Sequence, residues 1–356
     1  MKITLIDKYI ARHVISASLL ILFLLIMLRA MFSLLEESND IGIGQYQLAD
    51  ALLYVGLMLP QKIIELFPMG VLIGSLFGLG VLAANNELTV MRSAGVTTWG
   101  IALSTLKASL LSMVFVFLMS EVVAPATSKA AQQLRTAAMS DGKISRSASG
   151  LWAKRDNQFI HIATIRKNGE MHNISLFQLD DNYHFTKLIE ANSAQIIDGS
   201  WFLIEGVETS FAEEKIDKSH FQMRLWENPL EEDSIDTLTL KPETMNIRAL
   251  MKYQEYLDGN ALDSSEIELT IWQKAFLPIS VAIMMFLAAS FVFGPMRNVT
   301  MGARVLAGVM LGFGFHLAKQ SFGPISLIYG VSPFVGAIIP LFAFAGVAVW
   351  LMYRAN

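Results

Sequence analysis

Six long apolar runs, separated by polar punctuation, organise this chain. They cover about 13–35, 51–84, 99–123, 268–293, 301–320 and 333–353. A helix needs about 20 mainly apolar residues to cross a bilayer, and each run is near or above that length. Between the third and fourth runs the pattern changes. "QFIHIATIRK", "NISLFQLD", "SAQIIDGSWFLIEGVETSF" and "HFQMRLW" are short alternating or β-branched and aromatic stretches, punctuated by Asn-Gly-Glu, Asp-Asp-Asn and Asp-Gly-Ser. Repeated short strands of this kind point to a sandwich or jelly roll. Around 246–265 a helical pattern returns, with Asn246 as N-cap and Gly259 as stop. The predicted fold class is membrane α-helical, six transmembrane helices with an inserted all-β, jelly-roll-like domain. The predicted divisions are 1–125 (helices one to three), 126–265 (the β-domain with flanking helical linkers) and 266–356 (helices four to six).

One polar interruption stands out. "NNELTVMRSAGVTTWG", residues 85–100, separates the second and third runs. It predicts a short helix at about 85–95, with Asn85 or Asn86 as N-cap, Glu87 in the first turn and Gly95 as the C′ stop. Thr97 or Thr98 then caps the third run. The stretch reads either as a solvated connector or as a coupling helix that inserts into a groove on a soluble partner. In the second reading Leu88, Val90 and Met91 supply apolar contact, and Glu87 pairs with a basic residue.

Composition agrees with the membrane reading: 53% of the 356 residues are hydrophobic and 16% charged, against roughly 25% charged in soluble domains. The N-terminal Lys2, Lys8 and Arg12 precede an apolar stretch too long for a signal-peptide core, and no small-residue cleavage site follows, so a retained first span is expected. Lys and Arg in the short loops set orientation. Lys2, Lys8, Arg12, Arg92, Arg297, Arg304 and Arg354 fall on one side if the spans number six, whereas Glu36, Glu37 and Asp40 fall on the other. Both termini and residues 85–100 are then cytoplasmic, and the β insert lies outside.

The sequence also excludes chemistry. There is no Cys, so no disulfide and no thiol chemistry. No P-loop, H-E-x-x-H or G-x-S-x-G occurs, and the six His are scattered. No basic stretch suggests nucleic-acid binding. An ion-coupled transporter buries acids near the midplane, but Glu65 and Glu121 lie toward outer span ends, and Lys107 and Lys274 lie near span ends, where they can snorkel. Any transport by this chain needs energy from elsewhere.

Several pieces, taken in order and spacing, resemble the LptF/LptG permease family of the lipopolysaccharide export ABC transporter. They are "DKYIARH", "LFPMGVLIGSLFGLGVLA", "NELTVMRSAG", "EVVAP", "GLWAKRDNQFIHI", "FGPMRNVTMGARVLAG" and "FGPISLIYGVSP". Together they cover nearly the whole chain, and "GLWAK" and "FGPMR" look like the G-type rather than the F-type subunit. The resemblance implies a non-catalytic inner-membrane permease of a Gram-negative cell with a periplasmic β-domain. It pairs with a homologous F-type permease, a cytoplasmic ATPase dimer and a single-span C subunit. Lipopolysaccharide enters between the two permeases and is expelled onto a periplasmic bridge. The chain itself binds no cofactor or metal; ATP and Mg are used by the ATPase.

By the same resemblance Glu87 meets an ATPase Arg, with Leu88, Val90, Met91, Arg92 and Gly95 completing the coupling segment. A cavity for this lipid should be apolar with cations at headgroup height. Arg29, Lys62, Lys129, Arg135 and Lys319 are the headgroup candidates, and Phe32, Phe67, Met69, Phe313, His316 and Phe322 the acyl candidates. Span one departs from the family: Ser33 stands where a lysine is expected and Arg29 lies one turn deeper. Gln61 likewise stands where the family has Lys, beside Lys62. Other classes consistent with the residues alone are an ion-coupled amphiphile transporter and an ABC subunit that transmits a signal without moving lipid.

Overall fold

The computed structural model describes residues 4–139, 143–144, 150–155, 157–166, 170–180, 184–197, 200–212, 215–226, 241–294 and 299–355. Lys2, Arg297 and most of the three expected strand turns lie outside these residues. Among the described residues the α-helices are α1 (Leu5–Ser38), α2 (Leu48–Ala84), α3 (Glu87–Ser93), α4 (Thr98–Leu118), α5 (Ala124–Met139), α6 (Ile247–Gly259), α7 (Ser265–Ala275), α8 (Leu277–Phe293), α9 (Met301–Ile328) and α10 (Pro333–Ala355). Five rods among the described residues are long and apolar enough to cross a membrane: α1, α2, Thr98–Met139, α9 and α10. The bent pair α7 and α8 makes a sixth if it is one span.

Capping and proline chemistry set where the elements begin and bend. Helix α1 starts well before its apolar run because Thr4 and Asp7 form a capping box. Asp7 is buried and takes hydrogen bonds from Ser104 at 2.6 Å and Lys107 at 2.8 Å, which ties α1 to α4. Lys107 therefore pairs inside the bundle and does not snorkel. "EVVAP" does not close the third run. Residues Met119–Val123 form a π-turn, and the helix continues through Pro125 into α5. A proline lacks the N–H for the bond to residue i−4 and clashes with that carbonyl, here that of Glu121, and the widened turn accommodates it. Pro278 acts more strongly, for α7 and α8 meet at 49° around Phe276. The fifth run extends past 320, so most of "FGPISLIYGVSP" is helix rather than loop.

Helix α2 stands at the centre of the bundle. It packs on α1, α5, α8 and α9, and is the most enclosed of the long helices. Gly70, Gly74 and Gly78 repeat every four residues along its α1 face. A Cβ on Gly74 would lie 2.2 Å from Ser18 Cα, and one on Gly78 would lie 2.8 Å from the His13 carbonyl oxygen. Small residues at this spacing let two membrane helices approach backbone to backbone. On the opposite partner, Gly308 and Gly312 of α9 receive Leu76 and Met69 of α2. Arg304 is buried and donates to the Gly80 carbonyl at 2.9 Å, closing the same seam.

Among the described residues the insert is one antiparallel sheet of seven strands: β1 (Lys143–Ile144), β2 (Leu151–Arg155), β3 (Gln158–Arg166), β4 (Met171–Leu179), β5 (Phe185–Ile197), β6 (Ser200–Ala212) and β7 (Lys215–Leu225). Strands β3 to β7 neighbour each other in chain order, while β1 and β2 both pair with β3. This meander differs from the crossing connections of two Greek keys, because from β2 to β7 each connection joins adjacent strands. The buried row Ile162, Ile174, Ala191 continues through Gly206 to Phe221, whose ring occupies the space a Cβ on Gly206 would need. Asn173 and Glu205 have φ of 51° and 49°; Asn192 lies between them across the sheet and donates to Glu205 at 3.2 Å. The inward alternation slips along this line, from Ile189 and Ala191 to Ala194 on β5.

Gly74→Ala is expected to force α1 from α2 and lower stability by about 1–3 kcal/mol. Gly56→Ala, where nothing lies within 4 Å of the new methyl, is expected to cost nothing. Thermal unfolding of the two variants in detergent checks this; equal midpoints would refute the ladder.

Candidate functional site

The interruption between α2 and α4 folds as the short helix α3. Asn86 is its N-cap, in a left-handed conformation (φ 61°) and without a side-chain cap bond. Gly95, at φ 93°, stops it as C′, and Thr97 caps α4 by accepting from Gly100 N at 3.0 Å. The apolar trio divides. Leu88 is 4% exposed and Met91 packs against the same helical core, so both anchor α3 to its own chain. Val90 is 65% exposed and is the apolar residue offered outward. Arg92 is exposed in the last turn, where its charge suits the helix dipole.

Glu87 is held by groups that the sequence reading passed over. The Tyr9 hydroxyl donates to its Oε2 at 2.7 Å, and Asn85 Nδ2 donates to Oε1 at 3.3 Å. Tyr9 in turn packs on the His13 ring, 4.5 Å between centroids. The Tyr9 hydrogen bond is the main reason the Glu87 carboxyl stays below the ordinary range; Asn85 and His13 push the same way. Hydrogen bonds to the charged form favour it. A carboxylate accepts about four such bonds, so Glu87 retains capacity for a further donor. Tyr9 sits within "DKYIARH", and its place one turn before His13 was the available signal.

At the β-domain end, carboxylates pair with three of the five headgroup candidates. Arg29 meets Glu36 at 3.2 Å and Lys62 meets Glu65 at 3.1 Å. Arg135 Nε meets Glu37 at 2.6 Å, its guanidinium also pairs with Asp40, and it stacks 5.5 Å from the Tyr54 ring centre. Glu37 is 7% exposed and also accepts from the Tyr46 hydroxyl at 3.0 Å. Lys129 is partnered within the chain too. Lys319 differs: among the described residues no hydrogen bond or ion pair reaches its amine. It lines a cavity between α7, α8, α9 and α10 with Gln273, Ser280, Phe276 and Phe315.

The acyl candidates do not form one surface. Phe67 is 3% exposed and packs on Phe115, so it belongs to the helical core. Met69 fills the α2–α9 seam at Gly312, and His316 is half-buried on α9. Phe32, Phe313 and Phe322 are exposed. Phe313 and Phe322 lie nine positions apart on α9, which at about 100° per residue puts them on opposite sides. Phe32 is three residues from Arg29 on α1 and shares its face.

The family described as "Lipopolysaccharide export system permease LptF/LptG" matches residues 8–354. The lipopolysaccharide export system permease protein LptG of Escherichia coli strain K12 is 33% identical over 353 residues, covering 98% of each chain. LptG of Haemophilus influenzae is 32% identical over 354 residues, covering 99% of each. With the match running from α1 to the end of α10, and so through α3 and the β-sheet, the chain belongs to the LptF/LptG family of lipopolysaccharide export system permeases.

Proposed function

We propose that this chain is the G-type permease subunit of an ATP-driven lipopolysaccharide exporter, drawing lipid from the outer leaflet of a Gram-negative inner membrane. The observation that carries the coupling role is Glu87, an oriented carboxylate on a short helix between two long rods. With no nucleotide motif of its own, the chain takes its energy from a cytoplasmic ATPase that docks on α3, and it needs no cofactor. Glu87 pairs there with a cation and Val90 supplies apolar contact; Arg92 sits beside them. A charge pair at such an interface fixes register more than it adds affinity.

Counting α7 and α8 as one bent span gives six, both termini cytoplasmic and the β-sheet periplasmic. The sheet serves as a curled, jelly-roll-like groove whose apolar face guides acyl chains. Its β7 edge, with exposed Ile216, Met223 and Leu225, is available for strand pairing with the next domain of a bridge. The exposed apolar faces of α1 and α9 are turned toward the lipid cavity, the F-type permease and the C subunit's helix. Lys319, without a carboxylate at contact distance, is the strongest headgroup cation of the five, whereas Arg135 serves mainly as a clamp between α1 and α5.

Glu87→Arg is expected to abolish co-purification of the ATPase and ATP-dependent lipid release while the protein still inserts; undiminished release sinks the coupling role. Tyr9→Phe removes a donor that stabilises ionised Glu87. The native carboxyl stays charged to lower pH, so the variant should lose ATPase docking at a higher pH on acidification, and identical pH profiles would count against the Tyr9 contact. Arg135→Ala leaves Glu37 without its cation and should cost about 1–3 kcal/mol, less than for a fully buried pair because the guanidinium is partly exposed. Lys319→Ala should instead weaken lipid capture with little change in unfolding temperature. The reverse pattern would exchange their roles.

A further inference from the structure

The segment that returns the chain from the sheet to the membrane is held by three different helices. Residues 242–247 comprise a 3₁₀ turn (Pro242–Thr244) and the start of α6. Gln61 of α2 is 6% exposed, and its Nε2 donates to the Glu243 carbonyl at 3.2 Å. Glu121, in the π-turn between α4 and α5, accepts from the Ile247 amide at 3.0 Å. Lys274, in the last turn of α7 just before the bend, donates to the Met245 carbonyl. Thr244 and Met245 between them are buried. Each contact uses a membrane-end side chain and a backbone group of the linker, so each fixes the linker's path whatever its side chains are.

Beyond the linker the connection stays stiff. Asn246 caps α6 by accepting from Ala249 N at 2.8 Å. One turn from the end of α6, the Tyr256 hydroxyl donates to the Lys154 carbonyl at 2.8 Å and accepts from the Lys154 amide at 3.2 Å. Lys154 Nζ donates to the Asn260 carbonyl at 2.9 Å. Strand β2 is thereby stapled to α6 along both of its own backbone groups at Lys154.

We propose that Gln61, Glu121 and Lys274 are positioning residues forming a latch, through which rearrangement of α2, the π-turn and α7 is passed by α6 to the β-sheet. The latch sets the angle at which the sheet's apolar face meets the membrane bundle. Two of its three members sit where the helices depart from regular geometry: Glu121 in a π-turn, a feature frequent at functional sites, and Lys274 beside the 49° bend. A change in either irregularity moves the linker directly. As a mechanism of transport, the inference rests on the proposed function.

The chain has no Cys, so two spin labels can be placed without background, at Lys218→Cys on β7 and Gln320→Cys on α9, both exposed. In the full protein with its ATPase, the native latch should give one narrow distance distribution that shifts when ATP is trapped. Gln61→Leu combined with Glu121→Leu should broaden the distribution, remove the ATP-linked shift and reduce lipid release severalfold, while ATPase co-purification stays intact. Tyr256→Phe, which removes one hydroxyl and spares the bundle, should broaden it in the same direction. Native-width distributions with a full ATP-linked shift in both variants would overturn the latch. If the unmodified protein releases no lipopolysaccharide with its ATPase, the proposed function fails, while the widths without ATP still decide the latch.

Discussion

The backbone-to-backbone approach of α2 to α1 is the contact on which the rest of the structure depends. Lipid tails are as apolar as leucine, so burying apolar surface gives membrane helices little reason to associate. Dispersion contacts do, and they require closeness. The Gly70, Gly74 and Gly78 ladder supplies it on one side of α2, and Gly308 and Gly312 of α9 supply it on another. With α5 and α8 on its remaining faces, α2 is enclosed along most of its length, and its exposed leucines, Leu48, Leu52 and Leu53, lie in its first two turns. Most of the exposed apolar surface of the bundle falls on α1, α4, α9 and α10, and polar chemistry is displaced to the two ends of the bundle.

The two ends treat their charges differently. At the α3 end, Glu87 is oriented by neutral donors, Tyr9 and Asn85, so its charge is stabilised without being neutralised. At the other end the acids at and just past the end of α1 are consumed: Glu36, Glu37 and Asp40 are paired with Arg29 and Arg135. An oriented but unneutralised carboxylate suits a contact that must be made with a partner. A set of closed pairs suits holding α1 and α5 in place.

Much of this was legible from periodicity and punctuation. Long apolar runs became rods, alternating runs became strands, and Gly95 and Asn246 ended or began helices where turn and cap chemistry places them. The errors share a cause. "EVVAP" and the boundary at 320 were read as ends because Pro and polar residues punctuate there, yet tertiary packing carries both helices onward. Lys107 and Lys274 were read as snorkelling because their partners are remote in sequence: Asp7 lies a hundred positions away, and the Met245 carbonyl belongs to the far side of an insert. Phe67 was an acyl candidate in the sequence, and its burial and packing on Phe115 place it in the core. Gln61 reads as a missing lysine in sequence; in space it is a hydrogen-bond donor to the linker.

These placements make a mechanical argument. Helix α1 has 34 residues and α2 has 37, so at 1.5 Å per residue each is roughly 50–55 Å long, well over the hydrocarbon thickness of about 30 Å. Each therefore reaches both ends of the bundle. Tyr9 joins α1 to α3 at one end, and Glu37 joins it to Arg135 at the other; α2 runs directly into the α3 turn and carries Gln61 toward the linker. Close-packed interiors do not deform continuously, so rods locked by a glycine ladder move as one body. A displacement of α3 would then reach the β-domain end through these rods, with the two proline-dependent irregularities at Glu121 and Lys274 as the places where the helices can give.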